Sequence, residues 1–322
     1  MKNIKLFALI ASVVLMPHTA YAQAWPAKPV TIINPFPAGG GTDAFARPLS
    51  AVLAKSLGKS VIIDNRGGAG GTLGAAIAAK AAPDGYTFFM GAIHHTIAPS
   101  MYPKLDYDLE KDFVPMAVVA LVPQVLVVNP NKVSANSLKD FTALVKSSPG
   151  KFNYGTSGNG TSHHLAAELY KMQTRNFITH IPYRGAGPAM AGLLAGEIDM
   201  VFDGMGSSAA QIKAGRIKPI AISAPARVAA FPNIPTFAEQ GMPDYNVTSW
   251  YALWAIKGTP KDIVDKMLAE TLKAMNTPEL KEVWNSQAAV IGPDNSADMA
   301  KFVSTEIKKW AEVAKKSGAK LD

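Results

Sequence analysis

The feature that most constrains this chain is a strand-to-helix turn of small residues, which occurs twice. In the first copy, the apolar run 30–33 leads into 34–43, Asn-Pro-Phe-Pro-Ala-Gly-Gly-Gly-Thr-Asp. In the second copy, 152–154 leads into 155–162, Gly-Thr-Ser-Gly-Asn-Gly-Thr-Ser. Such a turn directs free backbone N–H groups and the positive end of a helix dipole to one point, so it is a candidate anion site. Two copies predict a cleft that holds an anion from both sides.

Short β-type runs alternate with helix-type runs, which predicts an α/β fold with helices on both faces of parallel sheets. A second unit begins near Pro123, and the chain becomes extended again near 246–251. We therefore predict a hinged clamshell of two Rossmann-like lobes, joined by crossover segments at 121–124 and 247–251. The predicted lobes, with the ligand in the cleft between them, are 23–122 plus 250–322 and 123–249.

The first 22 residues are typical of a secretory signal. Lys2 and Lys5 give a positive start, and 6–16 is an apolar run too short to span a bilayer. The triplet Ala20-Tyr21-Ala22 fits the small-x-small cleavage rule. We expect export to the periplasm with cleavage after Ala22, and an uncleaved anchor is the alternative.

The composition excludes several classes of protein. The chain has no cysteine, which excludes disulfides, a thiolate nucleophile and a cysteine-based metal site. The formal charge of +8 includes two lysines of the signal, so the mature chain is near +6, or 8 minus 2. Its basic residues are scattered rather than interleaved with aromatic residues, so no nucleic acid partner is expected. A mild positive field favours anionic ligands, and we expect a monomer.

The first turn also permits a different interpretation. Gly39-x-Gly41-x-x-Ala44 matches a dinucleotide fingerprint, and Asp64 lies at the spacing of a ribose-binding acid. A periplasmic enzyme that uses 39–44 as a dinucleotide site is therefore an alternative. Export and the restricting prolines beside the turn weigh against it. Because no nucleophile is paired with a base, we expect neither an enzyme nor a cofactor.

Two adjacent histidine pairs, His94-His95 and His163-His164, suggest a metal site. Neighbouring side chains diverge on a strand and on a helix, so each pair can offer only one ring to a given point. The chain has no H-E-x-x-H pattern, and no metal is expected. The pairs are interpreted either as packed or surface imidazoles, or as one ring from each lobe that hydrogen-bonds a carboxylate.

Polar residues mark the second turn and a later strand end. Asn159, Thr161 and Ser162 each add a side-chain donor to a backbone N–H, although a simple helix cap is the alternative for the hydroxyl residues. Asp203 follows an apolar strand, where ligands of α/β proteins usually bind. A turn or cap aspartate is the alternative there.

Five motifs in order carry a resemblance to a known family. They are 35–43, 64–71, 83–87, 153–161 and 181–185. With them, the mature chain resembles the periplasmic solute receptors of tripartite tricarboxylate transporters, often called the Bug family. The resemblance implies a two-lobe Venus-flytrap fold, delivery of the ligand to integral-membrane permease subunits, and a ligand carboxylate held at the first turn by backbone N–H groups and waters. A ligand-presenting sensor subunit is another alternative.

Three positions depart from the usual pattern of that family. His94 replaces a threonine, Ala98 an asparagine, and His163 a serine. We expect the two imidazoles to grip the second carboxylate of a dicarboxylate or to flank an aromatic ring, as in terephthalate. The predicted ligand-binding residues are Phe36, Ala38, Gly39, Gly40, Thr42, His94, His95, Asn159, Thr161, Ser162, His163, Arg184 and Asp203.

Overall fold

The computed structural model describes residues 25–317, 319 and 321. The signal segment predicted at 1–22 lies outside these residues. Strands and helices alternate through most of the described chain, and its strands form one continuous sheet, which confirms the predicted α/β class. In the described part of the chain, no helix combines the length and hydropathy that a membrane span requires.

The bounds of the elements follow in chain order. The strands are β1 (Val30–Asn34), β2 (Val61–Asn65), β3 (Thr87–Ala92), β4 (Phe113–Val128), β5 (Asn153–Thr156), β6 (Thr179–Pro182), β7 (Met200–Gly204), β8 (Lys218–Ser223) and β9 (Thr248–Ile256). The helices are α1 (Gly41–Leu57), α2 (Thr72–Ala79), α3 (His94–Met101), α4 (Leu138–Ser147), α5 (Ser162–Thr174), α6 (Ala186–Ala195), α7 (Met205–Lys213), α8 (Lys261–Met275), α9 (Pro278–Asn285) and α10 (Ser296–Ser317). A short 3-10 helix, Ala69–Gly71, precedes α2.

The sheet consists of two parallel groups joined by two antiparallel strands. Its order is β2-β1-β3-β9-β4-β7-β5-β6, and β8 also pairs with β4. Strand β1 runs parallel to β2 and β3, and β5 runs parallel to β6 and β7. Strand β9 is antiparallel to both β3 and β4. Each parallel group with its helices has the character of a Rossmann-like unit.

Strand β4 belongs to both parts of the sheet. Its residues 113–123 pair with β9, whereas residues 124–128 pair with β7 and β8. We call β1, β2, β3, β9 and residues 113–123 the first half-sheet, and β5 to β8 with residues 124–128 the second half-sheet. The predicted crossovers lie on β4 and at the start of β9, and the predicted limits of the lobes stay a prediction.

Apolar spacing and end signals explain why most elements form where they do. In α1, Phe45, Leu49 and Leu53 recur at helical spacing and are fully buried. The helix ends at Gly58, whose φ of 66° is the left-handed conformation that glycine adopts most easily at a helix end. Helix α4 begins at Ser137, whose side chain accepts from the N–H of Asp140.

Two elements are absent from the sequence prediction: helix α3 and most of β4. Pro99 lies inside α3, and proline is disfavoured in a helix because it lacks the N–H group. Strand β4 contains Pro115 and Pro123, and its pairing with β9 shifts register twice. Proline and bulges obscure the periodicity on which the sequence prediction depends.

A buried carboxylate fastens α10 to the crossing strand β9. Oε2 of Glu306 accepts from Nε1 of Trp250 at 2.9 Å and from Nε1 of Trp310 at 3.0 Å, and Nζ of Lys309 lies 3.3 Å from Oε1. Since α10 also packs on α3, this carboxylate ties the C-terminal helix to the point where the two half-sheets meet.

We expect Trp250→Phe to destabilise the protein more than Trp284→Phe does. Both indoles are buried, but Nε1 of Trp284 has no hydrogen-bond partner among the described residues, so its replacement removes volume without removing a bond. A hydrogen bond to a carboxylate contributes roughly 1.5–3 kcal/mol, and the two variants should differ by about that amount in urea denaturation. Equal losses in the two variants would show that the bond to Glu306 contributes nothing.

Candidate functional site

Several helices begin at one point where the two half-sheets meet. The first turn of α1 (Gly41 and Thr42), the first turn of α5 (His163) and the first residue of α6 (Ala186) line one cavity. Helix α7 begins beside them, because a Cβ on Gly206 would lie 3.3 Å from Cα of Gly41. The N-terminal N–H groups of four helices therefore face a common region, which acquires partial positive charge.

This small cavity has a volume of about 10 Å³, which is roughly the space that one water-sized group needs. It is closed by residues from both half-sheets. Its lining residues are Phe36, Gly40, Gly41, Thr42, His94, Ser157, His163, Ala186 and Tyr251.

His94 links the two halves across the small cavity. The backbone N–H of Ser162 donates to Nδ1 of His94 at 2.9 Å, so the ring accepts the bond that an anion at the start of α5 would otherwise accept. Burial, together with the nearby rings of His163 and His95, lowers the pKa of His94 well below its usual range. A neutral ring that accepts at Nδ1 carries its proton on Nε2, which makes Nε2 a donor.

His163 lies between the small cavity and Asp203. Its Nε2 is 3.4 Å from Oδ1 of Asp203, while its buried Nδ1 has no hydrogen-bond partner in the described part of the chain. Oδ2 of Asp203 accepts from the hydroxyls of Ser207 at 2.7 Å and Ser208 at 2.6 Å, but Oδ1 makes no hydrogen bond. Burial lowers the pKa of His163, and the charge of Asp203 opposes that shift.

Two serine hydroxyls next to this cavity have no partner. Ser157 Oγ and Ser162 Oγ are buried and make no hydrogen bond within the described residues. Since a buried polar group without a partner is costly, these hydroxyls are suited to a ligand that accepts hydrogen bonds.

Tyr251 is a lining residue that the sequence analysis did not single out. Its ring stacks on Phe45 with the centroids 4.9 Å apart, and a Cβ on Gly204 would lie 3.4 Å from its hydroxyl. Burial and the charge of Asp203 both raise the pKa of Tyr251, so the hydroxyl keeps its proton and can donate. In the sequence, only the crossover predicted at 247–251 included this residue.

The first turn is held rigidly by its own aspartate. Oδ2 of Asp43 accepts from the N–H of Gly39 at 3.1 Å, and Arg47 donates to both carboxylate oxygens at 3.0 and 2.7 Å. Burial raises the pKa of Asp43, but the bonds from Arg47, Gly39 and Asn65 outweigh it and the pKa lies below its usual value. The N–H of Gly39 is therefore already engaged within the protein.

A large cavity of about 390 Å³ lies beside the small one, and Phe36 and Ser157 line both. Two of its lining residues are joined by a hydrogen bond, from the hydroxyl of Tyr102 to the carbonyl oxygen of Asn159 at 3.0 Å. Both polar and aromatic side chains line the cavity. The lining residues are Phe36, Gly68, Ala69, Gly70, Gly71, Tyr102, Ser157, Gly158, Asn159, Pro182, Tyr183, Arg184 and Leu321.

The predicted site residues fall into four groups. The small cavity brings together Phe36, Gly40, Thr42, His94 and His163. Behind these residues, Asp203 contacts His163, and Ser162 contacts His94. Phe36, Asn159 and Arg184 line the large cavity. The remaining predicted residues line neither cavity. Ala38 and Gly39 are exposed. The hydroxyl of Thr161 donates to the carbonyl oxygen of Gly158, and His95 contacts the backbone of Ala92 and Gly71.

Gly41, Ser157, Ala186 and Tyr251 line the small cavity without having been predicted. Ser157 and Gly41 lie within the two small-residue turns, so the motifs could have indicated them. Ala186 follows the 181–185 motif as the first residue of α6. Within the described residues, no group of three or more His, Asp or Glu side chains is placed to hold a metal ion.

The chain is similar to proteins of one known family. The family described as "Tripartite tricarboxylate transporter family receptor" matches residues 45–319. Protein BugT of Bordetella pertussis is 36% identical over 305 residues, which cover 93% of this chain and 92% of BugT.

Two solved structures share the fold over nearly their whole length. That of R. palustris Rpa4515 with adipate has a TM-score of 0.88 and 33% identity, and covers 92% of this chain and 99% of its own. That of MatC from Rhodopseudomonas palustris with bound malate has a TM-score of 0.85 and 32% identity, and covers 90% and 99%. These similarities define a two-lobe solute-binding protein and confirm the predicted fold class. The chain belongs to the tripartite tricarboxylate transporter receptor family, as its motifs predicted.

Acidification should destabilise the protein through its buried neutral histidines. Burial lowers the pKa of His95 to about 4, although hydrogen bonds to the backbone oppose the shift. Between that value and the ordinary value of about 6.5, the unfolded chain binds a proton that the folded protein does not. Stability that is present at neutral pH is therefore lost as the pH falls. From pH 7 to pH 5, we expect His95 alone to lower the free energy of unfolding by about 2 kcal/mol.

Urea denaturation of the wild type and His95→Asn at both pH values measures this effect. The variant should lose about 2 kcal/mol less on acidification than the wild type, because it has no ring to protonate. His94 and His163 are present in both proteins, so their contributions to the pH dependence of stability cancel in the comparison. An identical pH dependence in the two proteins would exclude His95 as a source.

Proposed function

We propose that this protein is a periplasmic receptor that binds an organic carboxylate between its lobes and delivers it to the membrane permease of a tripartite tricarboxylate transporter. The observation that carries the proposal is the convergence of the N-termini of α1, α5 and α6 on a cavity where the half-sheets meet, with α7 beginning beside it. In this proposal, one lobe is 23–122 plus 250–322 and the other is 123–249. The protein binds its ligand without transforming it.

Backbone and side-chain donors would hold the carboxylate. Helix N-termini stabilise anions, since their free N–H groups and the helix dipole act together. The unpartnered hydroxyls of Ser157 and Ser162, and Nε2–H of His94, add donors next to the small cavity. Among the described residues, no arginine or lysine lines this cavity, so helix N–H groups, hydroxyls and imidazoles would bind the carboxylate.

A dicarboxylate fits the pair of cavities better than a monocarboxylate. One carboxylate would lie at the small cavity, and the chain of the ligand would pass Phe36 and Ser157 into the large cavity, where Arg184 is exposed. The rings of Phe36, Tyr102 and Tyr183 line that cavity and could pack on an aromatic acid such as terephthalate. Adipate and malate, the acids bound to the two related structures, are both dicarboxylates.

His94 and His163 take a different place in this proposal from the one expected from the sequence. Both line the small cavity, together with the first turn of α1. We therefore propose that they contact the carboxylate held at that turn, rather than the far end of the ligand.

A thermal-shift screen of aliphatic and aromatic mono-, di- and tricarboxylates tests the function. A ligand at about 100 times its dissociation constant adds roughly 2.7 kcal/mol to the free energy of unfolding, which gives a clear rise in Tm. We expect dicarboxylates to give the largest shifts. If no carboxylate raises the Tm, the proposed function is wrong.

Gly40→Leu should prevent closure around the ligand. A Cβ on Gly40 would be 3.5 Å from both Cβ of Ala186 and the backbone N of Gly187, so an alanine fits and a leucine does not. We expect Gly40→Leu to weaken the binding of the best acid by at least about tenfold, and small-angle scattering should show no compaction with it. Gly40→Ala is the control and should bind like the wild type. If both variants bind equally well, this contact plays no part in closure.

A further inference from the structure

The environment of His163 restricts which protonation states can coexist with a bound anion. The ring is buried, Nε2 faces Oδ1 of Asp203 at 3.4 Å, and Nδ1 has no partner. His163 also lines the small cavity, where the proposed function places a carboxylate. The ring thus lies between a resident carboxylate and the position of the ligand carboxylate.

Neither neutral form of His163 satisfies both neighbours. With the proton on Nε2, the ring donates toward Asp203, and its other nitrogen, Nδ1, has only a lone pair to offer a ligand carboxylate. With the proton on Nδ1, the lone pair of Nε2 faces Oδ1 of Asp203. Each neutral form therefore sets a ring lone pair against a carboxylate, so that two acceptors face each other. The imidazolium avoids this, because it donates at both nitrogens.

Asp203 is held in a geometry that leaves one oxygen for the ring. The hydroxyls of Ser207 and Ser208 both donate to Oδ2, which fixes the carboxylate. Oδ1 then remains buried without a hydrogen bond. A buried acceptor of this kind favours a charged donor, because the low local dielectric strengthens their interaction.

The other titratable groups at this cavity do not supply the missing charge. His94, from α3, is neutral and accepts from the N–H of Ser162. Tyr251, from β9, keeps its proton because burial and Asp203 raise its pKa. In the described part of the chain, the lining residues contributed by α1 and α6 carry no titratable side chain. Asp203 and the ligand are therefore the anions that face His163.

We propose that His163 takes up one proton when a ligand carboxylate binds at the small cavity, so that its imidazolium bridges this carboxylate and Asp203. The proton comes from solvent, and binding is a joint uptake of one carboxylate and one proton. This inference rests on the proposed function and adds a specific role for one residue. Burial lowers the pKa of His163 in the absence of the second anion, which keeps the ring neutral near pH 7 until a ligand arrives.

Calorimetric titration with malate, adipate and terephthalate, each in HEPES and in Tris at pH 7, measures the proton uptake. The apparent enthalpy should differ between the two buffers by an amount that corresponds to nearly one proton per ligand. Between pH 6.5 and 7.5 these acids are almost fully ionised, so their own titration should not change the affinity. Uptake of one proton by the protein should lower the affinity by about tenfold for each unit by which the pH rises.

Three variants locate the proton. His163→Gln should bind more weakly and show neither proton uptake nor the pH dependence of affinity. Asp203→Asn should reduce the uptake while His163 is retained, because the imidazolium loses one of its two anionic neighbours. His180→Gln is the matched control: this half-buried histidine on β6 lines neither cavity, and its replacement should leave the uptake unchanged.

The outcomes separate this inference from the proposed function. Binding of any of the three acids without proton uptake, or with the same uptake in His163→Gln, overturns the role of His163 and leaves the carboxylate receptor intact. Failure of every carboxylate in the thermal-shift screen overturns both. In the bound wild type, nitrogen chemical shifts of an imidazolium at His163 would support the inference directly.

Discussion

The convergence of four helix N-termini where the two half-sheets meet is the constraint on which the rest of this structure depends. Parallel strands point their carboxyl ends toward the cleft, and α1, α5, α6 and α7 begin there. Free N–H groups and helix dipoles accumulate positive potential at that point. The protein supplies some acceptors itself, through Asp43 at the first turn and Asp203 beside α7. The donors that the protein leaves without an acceptor are suited to a ligand that is anionic and rich in acceptors.

Burial lowers the pKa of both imidazoles at the site, and at His94 the neighbouring rings of His163 and His95 add to this shift. A cation near helix N-termini is also unfavourable, so the field acts in the same direction. His94 meets this condition by accepting the N–H of Ser162, a bond that joins the two halves of the molecule. Their close approach requires small residues, since Gly187 packs against the backbone of residues 38–40. In the proposed function, binding of the ligand and closure of the lobes are therefore one process, because the groups that would bind the anion are the groups that meet.

Much of this architecture could be predicted because it depends on local patterns. The two small-residue turns, the apolar strands and the amphipathic helices each carry their signal within about fifteen residues, and the order of the motifs indicated the family. Helix α3 and most of β4 could not be predicted in this way. Pro99, Pro115 and Pro123 oppose the local rules, and packing against the sheet overrides them. Tyr251 gave no local sign, because its role follows from the pairing of β9 with two distant strands.

The sequence by itself determined that two small-residue turns exist, that a helix follows each of them, and that each predicted lobe contains an adjacent pair of histidines. These are properties of short segments, and neighbouring residues are sufficient to specify them. The tertiary structure alone decided which N–H groups are free, since the N–H of Gly39 is taken by Asp43 and that of Ser162 by His94. It also decided that His163 faces Asp203, which lies forty residues away along the chain. Protonation depends on the charges and solvent within a few ångströms of a ring, and only the folded chain brings these together.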